Sequence, residues 1–479
     1  MKKLLSLSLF MLVFCTLHAE ITLPKVITNN MVLQRGKPVA IWGKASAGEK
    51  VSVSFANQTK TIVTDAAGNW QVKLDALKAS AVARKMIIVG SNKIELENVV
   101  VGEVWLCSGQ SNMEYPLDRR LKKYAASKRG EDLAEQELKS VRNPLIRVLY
   151  VERKLQAELP TKSWAESKDT IVRYVSAAGY FFAKELASKL KVPVGIISTS
   201  WGGTRVEQWT PSTAYEQSPL FKDSIAGKPN FKIDGMVPGK MFEGMLLPII
   251  PYTIKGFLWY QGESNLMVHD TTSFVAKTRL LLDTWRGLWN DKTLPFYYVQ
   301  IAPHNYSKRL KDRFPHGTDL LPYYWEAQAN CLDFSNSGMV VTTDLVDDLS
   351  NIHPGYKWEV GRRLSLWALA KDYGKKLVYS GPLYNSMKVN RNSIELSFTQ
   401  TGSGLISADG QALSWFTVAG ADRQFVAAQA VIKGNSVIVS STAVQQPVAV
   451  RFAWDETAMP NLCNKEKLPA SPFRTDSWK

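Results

Sequence analysis

The middle of the chain alternates short apolar runs with longer stretches of helical periodicity, and this alternation constrains the fold most strongly. The apolar runs lack alternating polar residues, so both faces of the predicted strands are buried, as is typical of a parallel sheet covered by helices. The predicted strands are Val104–Cys107, Val194–Ser198, Gly256–Tyr260, Phe296–Ile301 and Met339–Thr342. The predicted helices are Ala177–Leu190, Phe274–Trp285 and Tyr356–Ala370. The sequence therefore predicts an α/β domain over residues 101–378.

The two flanks of this region have the composition of β-structure. Short segments rich in β-branched residues, several of them alternating, are separated by turn residues. They are Val51–Phe55 and Thr61–Thr64 before the α/β region, and Ser393–Phe398 and Ser436–Ser440 after it. We predict a β-sandwich domain over residues 20–100 and a C-terminal β-rich region over residues 379–479. A chain of 479 residues is long enough for three such units.

The N-terminus has the pattern of a cleavable secretory signal. Lys2 and Lys3 precede an apolar run over residues 4–17, and Ala19 provides a small residue for cleavage. We therefore expect a signal peptide over residues 1–19 and a secreted or periplasmic protein. The apolar stretch over residues 245–260 is interrupted by prolines and a lysine, so no membrane span is predicted.

Charge and cysteine content exclude several classes of function. The formal net charge is +16, which would suit a nucleic acid or another anionic partner. However, the basic residues are scattered, and no nucleic-acid-binding motif is present. The densest cluster, over residues 119–129, is followed by four acidic residues and is interpreted as a solvated, partly helical insertion. Cys107, Cys331 and Cys463 have neither a disulfide pattern nor metal-ligand spacing, so no metal or cofactor is predicted.

Polar residues and glycines follow directly after four of the predicted strands. Ligands of open α/β sheets bind at the carboxyl ends of the strands, so we expect these four loops to meet in one crevice. The residues that stand out in these loops are Ser111, Gly202, Gly203, Glu263, Asn265 and His353.

These residue types suit hydrolysis by an activated hydroxyl. His353 is the best-placed base, ahead of His269, His304 and His316. The candidate nucleophiles are Ser111, Ser200, Ser264 and Cys107. Ser111 stands where a strand turns into a helix, so its backbone N–H is positioned to face an oxyanion, although a helix-capping role fits the same position. Gly202, Gly203 and Asn265 are further candidates for oxyanion donors. No Gly-x-Ser-x-Gly motif occurs, which argues against an α/β-hydrolase.

Four motifs in the same order resemble those of the sialate O-acetylesterase family, within the SGNH hydrolases. They are Gly-Gln-Ser-Asn-Met at 109–113, Ser-Trp-Gly-Gly-Thr at 200–204, Trp-Tyr-Gln-Gly-Glu-Ser-Asn at 259–265 and Ile-His-Pro-x-x-Lys at 352–357. The resemblance extends to residues 31–43 near the start and 461–475 near the end, and thus spans nearly the whole mature chain.

The resemblance implies an SGNH-like parallel sheet with helices on both faces and a serine esterase that works without a cofactor. It implies Ser111 as nucleophile and His353 as general base. The oxyanion hole would comprise the Ser111 N–H, a glycine N–H at Gly202 or Gly203, and Asn265. The implied substrate is an O-acetylated sugar, typically sialic acid, although relatives with the same motifs act on acetylated xylan. No oligomeric state is implied.

Two positions depart from the family pattern. Ser350 stands three residues before the histidine, where many SGNH hydrolases carry aspartate. The acid that orients His353 must then come from elsewhere, or the site works as a Ser–His dyad. The candidates are Glu263, Asp344, Asp347 and Asp348, and we predict Glu263 because relatives with the Gly-Glu-Ser motif use that glutamate. The second departure is Trp325, where relatives often have arginine.

A rival interpretation is a secreted, non-catalytic carbohydrate-binding protein, which β-rich flanks and 15 tryptophans would suit. The presence of both Ser111 and His353 favours the enzyme, because a binding protein has no use for a base beside a nucleophile.

Overall fold

A computed structural model describes residues 20–155, 158–168, 170–309 and 316–478. The predicted signal peptide over residues 1–19 lies outside these residues. Among the described residues, no helix combines the length and the apolar character that crossing a bilayer requires.

Seven strands form the N-terminal region, and the last of them continues into the main sheet. They are β1 Val32–Gln34, β2 Val39–Lys44, β3 Lys50–Phe55, β4 Gln58–Val63, β5 Asn69–Leu74, β6 Ser80–Val89 and β7 Lys93–Gly109. β3 pairs with β4 and β6, whereas β2 and β5 form a separate two-stranded sheet. The first half of β7 pairs with β6, and its second half pairs with two strands of the α/β region. The predicted domain boundary at residue 100 thus falls inside one continuous strand.

The second half of β7 is an inner strand of a largely parallel sheet. The other strands are β8 Ile146–Tyr150, β9 Ala165–Glu166, β10 Val194–Ser200, β11 Gly256–Tyr260, β12 Phe296–Val299 and β13 Ser337–Val340. Their spatial order is β13-β12-β11-β7-β10-β8-β9, and only β9 runs antiparallel to its neighbour. β10, β11 and β12 are buried along their whole length, which explains the apolar runs of the sequence.

Helices cover both faces of this sheet, as the sequence predicts. They are α1 Ser111–Glu114, α2 Leu133–Lys139, α3 Ala177–Leu190, α4 Ser212–Gln217, α5 Lys222–Ile225, α6 Glu263–Leu266, α7 Thr272–Leu288, α8 Tyr306–Arg309, α9 Leu320–Asn330 and α10 Lys357–Lys371. Single 3₁₀ or π turns lie at Arg119–Lys122, Thr170–Tyr174, Val206–Trp209, Phe242–Leu246, Leu247–Ile249 and Cys331–Asp333. α3 and α10 pack into one core, whereas α7 and α9 belong to a second core that also includes the N-terminal strands.

Close packing of α3 on the sheet depends on a glycine. A Cβ at Gly179 would lie only 2.8 Å from the Cys107 sulfur on β7, so any side chain there would push the helix away. Cys107 is completely buried at this contact, and burial raises the pKa of its thiol. Cys107 is therefore a core residue rather than a nucleophile. Cys107, Cys331 and Cys463 are all free and buried.

The C-terminal region is composed of short strands, as predicted. They are β14 Leu383–Asn390, β15 Ser393–Thr399, β16 Leu405–Ser407, β17 Phe416–Ala419, β18 Val426–Ala427, β19 Gln429–Lys433, β20 Ser436–Ser440, β21 Ala449–Phe452, β22 Leu462–Asn464 and β23 Phe473–Arg474. They form three small sheets around a separate hydrophobic core. An ion pair of 2.8 Å between Arg474 and Glu326 connects this region to α9.

Candidate active site

The turn that ends β7 places Ser111 at the carboxyl edge of the sheet. Gly109 has a φ of +139°, and a Cβ there would collide with the carbonyl of Tyr260 on β11. The next residue, Gln110, donates its backbone N–H to that same carbonyl at 3.0 Å. α1 then begins at Ser111 itself. The sequence therefore needs glycine at 109 so that the serine can project from between neighbouring strands.

His353 meets Ser111 across the crevice. Its Nε2 lies 2.9 Å from Ser111 Oγ. Asn351 fixes the backbone of the histidine locally: its Oδ1 accepts from His353 N at 3.0 Å, and its Nδ2 donates to His353 O at 3.1 Å. The structure thus joins the predicted nucleophile and the predicted base by a hydrogen bond.

The rings of the other histidines pack elsewhere. His269 and His316 lie edge to face with their ring centroids 5.4 Å apart. The ring of His304 packs against Tyr306 at 4.8 Å, and its backbone N–H donates to Glu456 O.

Gly202 and Gly203 follow β10 and lie beside Ser111, but they differ in their hydrogen bonds. The Gly202 N–H donates to Glu114 Oε2 at 2.8 Å, so it is already engaged. A Cβ at Gly202 would come within 3.2 Å of Ser111 Cβ, which shows how closely this loop packs on the serine. Within the described parts of the chain, the backbone N–H groups of Ser111 and Gly203 have no hydrogen-bond acceptor. These two groups, rather than Gly202, are the donors open to an oxyanion.

The prediction that Asn265 donates to an oxyanion does not fit its surroundings. The residue is 0% exposed. Its Nδ2 donates to Glu207 Oε2 at 3.1 Å and to Asp270 Oδ2 at 2.9 Å, so both amide hydrogens are used inside the protein. Its Oδ1 accepts from Val206 N and Gln261 Nε2. Asn265 therefore ties the loops after β10 and β11 together.

Next to Asn265 lies a group of carboxylates that are close enough together to hold a metal ion: Glu207, Asp234 and Asp270. The ammonium of Lys277 already contacts all three, at 3.0 Å from Glu207 and 2.7 Å from Asp270 and in a short contact with Asp234. The lysine thus occupies the position that a cation would take and neutralises part of the buried negative charge.

The three aspartates on the histidine's own loop are all bound to other partners. Asp344 forms an ion pair with Arg363, with contacts of 2.7 and 2.5 Å. Asp347 accepts from Arg129 Nε and Tyr356 OH, both at 2.7 Å, and Asp348 accepts from Ser350 Oγ at 2.6 Å.

Glu263, the predicted acid, lies at the first position of α6 and is 1% exposed. Its carboxylate accepts a short hydrogen bond from Asn112 Nδ2. Burial raises the pKa of the Glu263 carboxyl, opposed by the hydrogen bond from Asn112 and by the charge of Lys357. Because Asn112 Nδ2 also donates to Ile352 O at 3.0 Å, Asn112 connects Glu263 to the residue before His353.

Lys357, the last residue of the fourth motif, lies on the other side of Asn112. Its Nζ donates to Asn112 Oδ1 at 2.8 Å and to Pro354 O at 2.7 Å. The side chain is completely buried, and burial lowers the pKa of its ammonium to about 7. Asn112 and Lys357 both stand within the sequence motifs, and no role is predicted for either from the sequence.

The cationic insertion is more than a solvated segment, because its Tyr124 packs on the active site. The Tyr124 ring lies 4.5 Å from the His353 imidazole and 4.7 Å from the ring of Tyr115. Burial raises the pKa of Tyr124 to about 12, so its phenol stays neutral. Arg129, farther along the insertion, holds Asp347. Most of residues 119–129 are exposed and Arg119–Lys122 forms a 3₁₀ turn, so the interpretation as a solvated, partly helical segment is confirmed, and Tyr124 and Arg129 add contacts at the site.

Trp325, the second departure from the family pattern, is a core residue. It is 0% exposed on α9, and its indole Nε1 donates to Ile301 O at 2.7 Å. Its indole is thus committed to the hydrophobic core beneath the sheet.

A cavity of about 710 Å³ opens beside Glu114. Tyrosine rings and basic side chains line much of it, contributed by Tyr150, Arg153, Lys154, Lys162 and Tyr174. Arg153 Nε lies 3.0 Å from Glu114 Oε1, and the other oxygen of that carboxylate binds Gly202. Glu114 thus connects Arg153 of the cavity lining to the Gly202 loop that packs on Ser111.

A serine hydroxyl bonded to a histidine at the carboxyl edge of a parallel sheet is the arrangement of nucleophile and general base that hydrolases with a catalytic serine use. Residues 101–365 match the family model described as carbohydrate esterase, sialic acid-specific acetylesterase. The chain belongs to this family of carboxylic ester hydrolases.

Two kinds of relative support this assignment. Human sialate O-acetylesterase is 29% identical over 415 residues, a match that covers 78% of this chain and 76% of the human protein. The mouse sialate O-acetylesterase is 28% identical over 430 residues, covering 78% and 77%. Among solved structures, a carbohydrate acetylesterase from Xanthomonas citri is 33% identical with a TM-score of 0.84, covering 96% of this chain and 100% of that one.

Proposed function

We propose that the protein removes O-acetyl groups from sugars, with O-acetylated sialic acid as the preferred substrate. The observation that carries this proposal is the 2.9 Å hydrogen bond between Ser111 Oγ and His353 Nε2. It also favours an enzyme over a non-catalytic carbohydrate-binding protein.

The reaction proceeds through an acyl-enzyme. Ser111 Oγ attacks the acetyl carbonyl carbon while its proton passes to His353 Nε2, which requires the tautomer with hydrogen on Nδ1. The oxyanion forms against the N–H groups of Ser111 and Gly203, a kind of contact worth roughly 10²–10³ in rate for each donor. Collapse of the tetrahedral intermediate breaks the bond to the sugar oxygen, which takes the proton from the imidazolium. Water then loses a proton to His353 and attacks the acetyl-serine, and collapse of this second intermediate breaks the bond to Ser111 Oγ, which takes the proton back from His353 as acetate leaves.

The cavity beside Glu114 is the binding site for the sugar. The charged residues among its lining are three cations, Arg153, Lys154 and Lys162, and one anion, Glu152. Lys154 is paired with Glu152 at 2.6 Å, whereas Lys162 projects exposed at the rim. A positive cavity favours a sugar that bears a carboxylate, as sialic acid does, over neutral acetylated xylan. Tyr150 and Tyr174, with ring centroids 5.9 Å apart, provide apolar faces for a sugar ring.

Acetate release on O-acetylated sialic acid and on acetylated xylan, measured side by side, tests this assignment. We expect higher kcat/KM on the sialic acid. Lys162→Gln should raise KM for that substrate severalfold and leave xylan unaffected, whereas Lys388→Gln, on the exposed edge of the C-terminal region, should change neither. A preference for xylan that Lys162→Gln does not alter would contradict the acidic-sugar assignment. Absence of acetate release from both substrates and from p-nitrophenyl acetate would favour the binding-protein alternative.

The site of action proposed for this activity is outside the cytoplasm. The predicted signal peptide over residues 1–19 supports export. Export is tested by sequencing the N-terminus of the mature protein and by determining its location in the native host.

A further inference from the structure

We propose that Lys357 is a positioning residue for the reaction: together with Asn112 it holds the backbone on both sides of His353 against the helix that carries Ser111. This inference rests on the proposed function, because it concerns the geometry of the same serine and histidine. It assigns a role to two motif residues that the reaction itself does not use.

The hydrogen bonds around Asn112 connect the three elements of the site. Asn112 directly follows Ser111 on α1 and donates to Ile352 O, the carbonyl immediately before His353. Lys357 donates to Pro354 O, the carbonyl immediately after it. The same ammonium donates to Asn112 Oδ1. Asn112, the residue after the nucleophile, therefore holds Ile352 O directly and Pro354 O through Lys357.

The chemistry of the neighbours leaves only one orientation for the Asn112 amide. The lysine ammonium donates and has no acceptor capacity, so the amide oxygen must face Lys357 in its charged form. The carbonyl of Ile352 can only accept, so the amide nitrogen must face it. The Glu263 carboxylate also accepts from that nitrogen, which makes it the anionic partner of the arrangement. Lys357, Ile352 O and Glu263 together therefore fix the orientation of the Asn112 amide.

The surroundings of Lys357 show that its charge is buried at a cost. Glu263 is the carboxylate that offsets it, and the rings of Tyr115 and Tyr260 lie 5.0 and 5.2 Å from Nζ. Burial raises the pKa of both phenols, so they stay neutral. Asn112 lies between the Lys357 ammonium and the Glu263 carboxylate, and replacing buried opposite charges by neutral side chains of similar volume is often neutral or stabilising. If Lys357 and Glu263 contributed only to stability, replacing both should leave kcat unchanged. If they position His353, replacing both should lower kcat even when the protein is at least as stable.

This difference separates a positioning role from a structural one. Lys357→Met alone leaves Glu263 without its cation and should destabilise the fold, so the informative variant is the double replacement Lys357→Met/Glu263→Gln. We expect the double variant to melt at or above the temperature of the wild type. Its kcat on p-nitrophenyl acetate should nevertheless fall at least about 10²-fold, and by more than that of Glu263→Gln alone, with KM within about twofold, because a small displacement of a reacting group is enough for such a loss.

Two further measurements complete the test. Labelling of the serine by a fluorophosphonate reports the nucleophile and base without a sugar, and its rate should fall in parallel with kcat. Lys371→Met, at the exposed end of the same helix, is the matched control and should label and turn over as the wild type does. A double variant that folds and keeps kcat and labelling within about threefold of the wild type would overturn the inference.

Failure of the inference can be told apart from failure of the proposed function. If Ser111→Ala abolishes turnover while the double variant is normal, the serine mechanism stands and Lys357 has no positioning role. If Ser111→Ala is itself active, the proposed mechanism fails, and the inference fails with it.

Discussion

Ser111 Oγ and His353 Nε2 lie 2.9 Å apart, although 242 residues separate them in the sequence. One residue follows the inner strand β7, and the other lies on the loop between β13, at the far edge of the sheet, and α10. The two side chains meet because parallel strands bring their carboxyl ends to one edge. Helix capping or another local role for either residue would not require Ser111 Oγ and His353 Nε2 to lie within hydrogen-bonding distance of each other.

Replacing the nucleophile should abolish the reaction without unfolding the protein. Ser111→Ala is expected to lower kcat on p-nitrophenyl acetate by about 10⁴–10⁶-fold, the usual loss for such a residue. Ser264→Ala should stay near the wild-type rate, because that residue is held by its backbone N–H, which donates to Gln110 Oε1 at 3.2 Å. Circular dichroism of both variants checks folding. Reversed losses would show that the nucleophile is misassigned.

The prediction that Glu263 is the acid that orients His353 can be tested by comparing it with Asp347 on the histidine's own loop. Glu263→Gln should lower kcat about 10–10²-fold, because Glu263 binds Asn112, which is bonded to the loop of His353. Asp347→Asn should lower kcat less, because that carboxylate is committed to Arg129 and Tyr356. The measurement is kcat at saturating ester for both variants. A greater loss for Asp347→Asn than for Glu263→Gln would move the acid to the histidine's loop.

Tyr124 should matter through its ring rather than its hydroxyl. Its ring lies 4.5 Å from the imidazole of His353, and such aromatic contacts are worth about 0.5–1.5 kcal/mol. Tyr124→Ala is expected to reduce kcat roughly 10-fold by freeing the imidazole, whereas Tyr124→Phe keeps the packing and should stay within about twofold. Steady-state kinetics on p-nitrophenyl acetate compare them. Equal losses for Phe and Ala would instead assign the effect to the hydroxyl.

The fold was largely accessible from the sequence because burial on both faces leaves an unbroken apolar signal. β11 and α3 have the predicted bounds, Gly256–Tyr260 and Ala177–Leu190. β8 escaped prediction because Arg147 interrupts its apolar run. That arginine is nevertheless buried and paired with Glu166 of β9 at 3.0 Å, a partner the local sequence does not reveal.

The candidate site was accessible only where a motif identified it. Ser111 and His353 stand in recognisable motifs, and the structure brings them together. The Asn265 side chain points toward Glu207 and Asp270, to which it donates both amide hydrogens. Because neither partner belongs to the motif, the sequence could not reveal this orientation. Tyr124 was missed because the many cations around it give the local sequence the character of a solvent-exposed segment.

Removing the N-terminal strands should unfold the catalytic region. A chain that starts at residue 100 lacks the first seven residues of β7 and the strand β6 that pairs with them. Core residues such as Val51 and Val53 belong to the same hydrophobic core as Trp285 on α7, so the truncation also exposes that core. We expect little soluble protein and a melting transition that is lost or at least about 10 °C lower by calorimetry. An active truncated protein of unchanged melting temperature would show that the N-terminal region is an independent module.

The buried Lys357 predicts a particular dependence of stability on pH. Burial lowers its pKa from 10.5 to about 7, so between these values the unfolded chain binds more protons than the folded one. Stability then rises with pH across this window, because the folded state is relieved of a buried charge that the unfolded state still carries. The raised pKa of Glu263 acts with the opposite sign at lower pH: stability falls as pH rises from 4.5 through its folded pKa.

Lys357→Met/Glu263→Gln removes both contributions, so the difference in melting temperature between this variant and the wild type isolates them. We expect the advantage of the variant to be greatest near pH 7 and to narrow as the pH rises toward 10, where the wild-type lysine has become neutral. Thermal melts of both proteins at intervals from pH 6 to 10 measure it. A constant difference over this range would mean that Lys357 keeps an ordinary pKa in the folded protein, which is incompatible with an ammonium buried among Glu263, Tyr115 and Tyr260.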